Sequence, residues 1–159
     1  MTKVIVYTRP DGEISVCHPL ISQDDPPSFT IEDAIARALS KDVPDTALDV
    51  QVIDAADLPA DRTFRRAWRQ SDGRVSIDLA KGRMIHLGRL RAERDAKLAA
   101  TDGLMARANE RGDAAGQLKL AAQRQALRDM PIDIAAALAA AQTPEDLKAI
   151  RPAILDEQP

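Results

Sequence analysis

Apolar and polar positions change period several times along the chain, and each change marks an element. Lys3 to Thr8 reads Lys-Val-Ile-Val-Tyr-Thr, a β-branched and aromatic run that predicts a strand. Glu13 to Cys17 alternates polar and apolar, the period of a half-buried strand. Between them, Pro10-Asp11-Gly12 has turn chemistry, because proline presets φ and glycine accepts positive φ, so the pair is expected to form a hairpin. Pro19 ends it, and Asp24 to Ser28, with Pro26-Pro27, is a loop. Thr30 is placed to cap a helix that carries Glu32 and Asp33 in its first turn, with an apolar stripe of Ile35, Ala38 and Leu39 running to Lys41. Leu48, Val50 and Val52 then alternate with polar residues, a third strand. The first 54 residues thus read β-β-α-β.

Asp54 to Asp61, with Pro59 and small polar residues, reads as a linker. Phe64 to Gln70 predicts a strand with Phe64, Arg66 and Trp68 on one face. Ser71-Asp72-Gly73 is a hairpin turn, and Val75 to Ile77 returns. Asp78 is placed as a helix cap, and no proline follows from Leu79 to Arg111. Gly112-Asp113 reads as a stop and restart. At helical spacing the expected stripe is Ala80, Met84, Leu87, Arg91, Arg94, Leu98, Thr101, Met105 and Ala108, apolar at its ends and basic in its middle. Gly82, Gly88 and Gly103 each cost about 1 kcal/mol in a helix interior, so this helix needs a partner. A second helix from Ala114 to Asp129, with Leu118, Leu120, Ala122 and Leu127 inward and Pro131 as its stop, supplies an antiparallel hairpin or a coiled-coil segment of an oligomer. Met84, Leu87, Leu98, Met105, Leu118 and Leu127 are the expected helix-packing residues. Ala135 to Ala141 is a short helix or an extended arm, and Thr143-Pro144-Glu145-Asp146 starts a last helix that Pro152 ends. The expected fold is α+β: a head at 1–54, a linker at 55–61, a β-hairpin with a helical hairpin at 62–131, and an Ala-rich arm with a terminal helix at 132–159.

Charge divides the chain differently. Of its 159 residues, 1–61 hold 4 basic and 12 acidic side chains, 62–97 hold 11 and 4, and 98–159 hold 7 and 9, for a net −3. Such asymmetry points to complementary packing between segments or subunits, or to nucleic acid. A nucleic-acid site usually adds stacking aromatics, and only Phe64 and Trp68 lie near the basic stretch. Aromatics are 3% of the chain, so its cores must be built from Val, Ile, Leu, Met and Ala, which suits slender elements and a homo-oligomer. No window approaches the roughly 18 apolar residues of a membrane span, and the N-terminus shows no signal-peptide pattern.

Catalytic and metal-binding sets are not assembled by the sequence. Cys17 is the one cysteine, and His18 and His86 are the two histidines. Cys17 and His18 are neighbours on a strand and point to opposite faces, so they form no direct dyad. Asp24-Asp25 and Glu145-Asp146 sit in a proline loop and a helix first turn, where capping is the ordinary role. No glycine-rich phosphate loop is present. No catalysis and no cofactor are expected. Trp68 has two open readings, a core plug or an interface anchor. With Phe64, Arg65, Arg66 and Arg69 it forms the expected partner-binding patch, because Trp beside Arg dominates interface energy when desolvated.

Arg91 to Asp102 (Arg-Ala-Glu-Arg-Asp-Ala-Lys-Leu-Ala-Ala-Thr-Asp) and Gln123 to Pro131 (Gln-Arg-Gln-Ala-Leu-Arg-Asp-Met-Pro) follow each other at a familiar order and spacing. They resemble the C-terminal helical segment of tailed-phage tail-fibre and tail-assembly-chaperone-like proteins. Asp61 to Trp68, Asp78, Ala80-Lys81 and Thr143 to Leu147 extend the resemblance over roughly 57–152. Gly103 stands where many members of that family carry a tryptophan. The resemblance implies a phage or prophage tail context, protein partners among tail or tail-fibre proteins, trimeric association on a fibre, and residence in the virion tail or in the host cytoplasm during assembly. The first expectation is a structural adaptor joining a fibre to the tail tip. The alternatives are an assembly chaperone absent from the finished particle, and a small nucleic-acid-binding module using 62–97.

Overall fold

Lys3–Thr8 forms β1, the middle strand of three. β2 (Ile14–Cys17) and β3 (Leu48–Asp54) pair with it antiparallel on either side. The computed structural model describes residues 2–158 and divides into two compact units, 1–78 and 79–159. In the first unit, Val4, Ile5 and Val6 are wholly buried, as a strand covered on both faces requires. Gly12, at φ 78°, closes the first turn with its N–H on the Arg9 carbonyl. α1 (Ile31–Lys41) contacts β1 and buries Ala34 and Ala38, small residues that let helix and strand approach. Thr30 caps it in a reciprocal box with Asp33.

Several expectations shift in detail. The helix stripe centres on Ala34 and Ala38, and Leu39 remains 39% exposed. Leu48, Val50 and Val52 lie on an edge strand and stay largely exposed, while Ile53 packs toward the core. The ladder breaks between Val6 and Thr8, where Asp49 takes a positive φ of 50° in a bulge. Phe64 does not begin a strand. Residues 65–67 make one 3-10 turn before β4 (Trp68–Ser71) pairs with β5 (Arg74–Ile77). Asp72 and Gly73, at φ 52° and 75°, form the primed hairpin turn that matches strand twist.

The boundary between units falls after Asp78, not at the expected 55–61 linker. A two-stranded hairpin cannot bury its own face. Trp68 and Val75 of this one therefore cluster with Val4, Val6, Ile14 and Leu58 in a core shared with the first sheet. The stretch read as a linker supplies Leu58 to that core, and Ala55 donates its N–H to the Thr2 carbonyl at 2.8 Å.

The second unit is helical. α2 (Leu79–Glu110) runs 32 residues and α3 (Ala114–Asp133) returns along it. The pairing is antiparallel: Gln117 bonds to Ala108 near the turn, and Arg124 reaches Thr101 further from it. Gly112, at φ 65°, ends α2, with Gly112 N–H on Asn109 O and Asp113 N–H on Ala108 O, a Schellman pattern. Asp113 then caps α3 through Gly116 N–H at 2.9 Å. Pro131 lies inside the last turn of α3, and the helix runs on to Asp133, because only one ladder donor is lost there. Ala135–Ala140 is α4, so the Ala-rich stretch is helical. α5 (Pro144–Ala149) opens on a Thr143–Asp146 capping box, as its sequence indicates. α5 and a turn at 153–155 lie against the long hairpin and bury Leu147 and Leu155.

Candidate partner-binding site

The patch expected around Trp68 separates into two layers. Phe64 and Trp68 are 1% and 2% exposed, so neither is a surface anchor; both belong to the interior of the first unit. In an aromatic-poor chain these are among the largest apolar side chains, and burying them contributes most to a small core. The Trp68 Nε1 has no hydrogen-bond partner among the described residues, and the Arg65 guanidinium lies 5.8 Å from its ring centroid. Arg65, Arg66 and Arg69 are exposed. Arg66 donates to Glu13 at 3.3 Å, and Arg69 donates to the Ser76 hydroxyl at 3.4 Å. Arg65 and Arg66 line an open cleft of about 220 Å³ with Arg9, Glu13, Ile14 and Ser15. On β2, Cys17 is half-buried; desolvation, helped by the Asp42 charge, pushes its thiol up.

Helix packing in the second unit uses part of the expected stripe: Thr101 and Ala108 are buried as expected, while Gly82 and Leu90, outside that stripe, are buried with them. Met84 and Leu118 are each 74% exposed, whereas Leu127 is wholly buried and Leu87, Leu98 and Met105 are half-buried. The buried line along α2 is Gly82, Leu90, Thr101 and Ala108, at gaps close to two, three and two helical turns. Arg83 donates to the Ala141 carbonyl at 2.8 Å and His86 Nε2 lies 2.9 Å from the Ile150 carbonyl. Arg151 reaches Glu93 at 2.9 Å, and Lys97 donates to the Glu157 carbonyl at 2.6 Å. Arg83, His86 and Lys97 thus meet backbone carbonyls of a C-terminal chain that is not helical at those points. Leu147, expected to pack in the last helix, is wholly buried, and Leu90, Met130, Ile134, Leu138 and Leu155, which the sequence does not single out as packing residues, complete the interior.

At the tip of the hairpin, the last turns of α2 and the first of α3 enclose an open groove of about 360 Å³. Leu104, Ala108 and Leu120 form its apolar floor, and Arg107, Arg111 and Lys119 stand around it. Among the described residues no group of three or more His, Cys, Asp or Glu is arranged to hold a metal ion, and no helix is long and apolar enough to cross a membrane.

The chain is therefore an α+β unit followed by a helical-hairpin unit, with its surface chemistry concentrated in arginines. A family model described as phage tail assembly chaperone protein matches residues 87–136. That stretch runs from α2 through α3 into α4, and it contains both Arg91–Asp102 and Gln123–Pro131, the two segments that carry the resemblance. It covers about a third of the chain; the Asp61–Trp68 and Thr143–Leu147 segments lie outside it. The match supports a role in phage tail assembly. No curated protein and no solved structure matches the chain.

Proposed function

We propose that the chain is a non-enzymatic phage tail assembly chaperone: it holds a tail protein during assembly and leaves before the particle is complete. The observation that carries this reading is the family match over 87–136, which spans the body of the helical hairpin. A protein-binding role also suits the surface of that unit. Met84, Leu118 and Ile132 are each more than 70% exposed and offer apolar side chains for contact. A retained adaptor between fibre and tail tip is the competing outcome of one experiment. Quantitative mass spectrometry follows the chain in infected or induced cells and in purified particles. A chaperone is abundant during assembly and absent from particles. Stoichiometric copies in purified particles overturn the reading in favour of the adaptor.

A further inference from the structure

We infer that the groove at the tip of the helical hairpin binds an acidic, leucine-type peptide segment of a partner protein. The groove needs no assumption about whether the chain leaves the particle, so its test is independent of the reading above. Three features define its ligand. First, its floor is apolar: Ala108 and Leu120 are buried and Leu104 is half-buried, leaving about 360 Å³ open above them. That volume accepts a branched aliphatic side chain with its flanking backbone, more than a single inorganic anion fills. Second, its rim is cationic. Arg111 and Lys119 make no ion pair or side-chain hydrogen bond among the described residues, and Arg107 donates only to the Gly103 carbonyl at 3.2 Å. The one lining carboxylate, Asp113, is already engaged by the Gly116 N–H. Three cations with no anion of their own, standing over an apolar floor, complement carboxylates placed beside an aliphatic residue. Third, no aromatic side chain lies in the second unit; Tyr7, Phe29, Phe64 and Trp68 all belong to the first. Single-stranded nucleic acid is held by aromatic stacking as well as charge, so the groove has half of that chemistry and a floor suited to something else.

The groove is framed by structure that keeps it open. The Schellman turn at Gly112 fixes the angle at which α3 leaves α2, and Gly116 presents no side chain to the space.

The test is fluorescence anisotropy at low salt with a short fluorescein-labelled peptide of leucine and glutamate, titrated with the full chain. Comparison peptides replace glutamate by lysine, or leucine by serine, and a labelled single-stranded oligonucleotide is run in parallel. The leucine–glutamate peptide binds, the serine and lysine versions bind more weakly, and added salt weakens binding without abolishing it. Arg111→Glu with Lys119→Glu weakens binding by about tenfold or more. The milder Arg111→Gln with Lys119→Gln is measured beside it, and both are checked by circular-dichroism melts. No binding, equal binding by both double variants, or tighter binding of the oligonucleotide or lysine peptide overturns the proposal. Light scattering that shows a dimer lost in the same variants overturns it in favour of a second copy as the occupant.

Discussion

Arg124 of α3 crosses the helical hairpin to place its Nη1 2.7 Å from the Thr101 hydroxyl and 2.6 Å from an Asp102 carboxylate oxygen on α2. The two acceptors differ in surroundings. Thr101 is 1% exposed and its hydroxyl donates a hydrogen bond to the Leu98 carbonyl at 2.7 Å, whereas the Asp102 side chain is 66% exposed. Arg124→Ala strips a charged donor from a buried hydroxyl and is expected to cost about 1–3 kcal/mol. Asp102→Ala removes a solvated partner and is expected to cost at most about 1 kcal/mol. Urea unfolding of the two variants checks the order; equal shifts of the midpoint would show that the buried acceptor is irrelevant.

Leu127 and Leu118 lie on one helix and separate packing from exposure. Leu127 is wholly buried, and Leu127→Ala is expected to lose about 2–5 kcal/mol. Leu118, 74% exposed, is expected to tolerate alanine within about 0.5 kcal/mol. Thermal melts that place both variants together would contradict the burial pattern.

Three helical glycines are expected to respond differently to alanine. A Cβ at Gly88 meets nothing within 4 Å, and one at Gly103 meets only the tip of Arg107 at 3.8 Å. Each substitution should stabilise by about 0.5–1 kcal/mol, the helix-propensity difference. A Cβ at Gly116 collides with the Asp113 carboxylate that caps α3, so Gly116→Ala exchanges propensity for a cap worth about 1 kcal/mol and brings no gain. Calorimetry of the three variants tests the contrast.

Acid should unfold the protein partly through three carboxylates. Arg37 holds the Asp25 carboxyl below its ordinary value, the Thr30 backbone N–H does the same for Asp33, and the Thr143 hydroxyl for Asp146. A carboxyl with a lower folded value stabilises the fold above the unfolded value, near 3.9, and that contribution disappears as pH falls through the folded value. The triple Asn variant should be less stable at neutral pH and lose less between pH 5 and pH 2 (roughly the carboxylate range). Parallel stability curves for wild type and variant would remove these residues as the cause.

Local signals in the sequence were read well where they act over a few residues. β1, the Asp72-Gly73 turn, the Thr30 and Thr143 caps and the stop at Gly112 all follow from turn and cap chemistry written in adjacent positions. Tertiary choices were less legible. Leu48, Val50 and Val52 have the alternation of a buried face, but β3 is an edge strand, which no local pattern states. On α2 the expected stripe holds at Thr101 and Ala108 and fails at Met84, because Arg83 and His86 turn inward to a pair of carbonyls more than fifty residues away, which no local pattern states. The arginines of 62–69 were correctly seen as surface, but their two aromatic neighbours were drawn inward by a core with few other large side chains to use.

Those same long-range bonds decide how far the helical hairpin is portable. The family-matched stretch 87–136 begins after Arg83 and His86 and stops before Ala141 and Ile150, so both ends of these two bonds lie outside it, and the bonds at Glu93 and Lys97 reach partners beyond its end. Leu147 and Leu155, which fill the space beside the hairpin, lie outside it as well. The family-matched stretch is thus the spine of a clasp whose fastening draws on both flanks. A chimera or peptide intended to carry this hairpin elsewhere has to include 79–158, since a narrower excerpt leaves out α5 and the 153–155 turn that lie against α2 and α3.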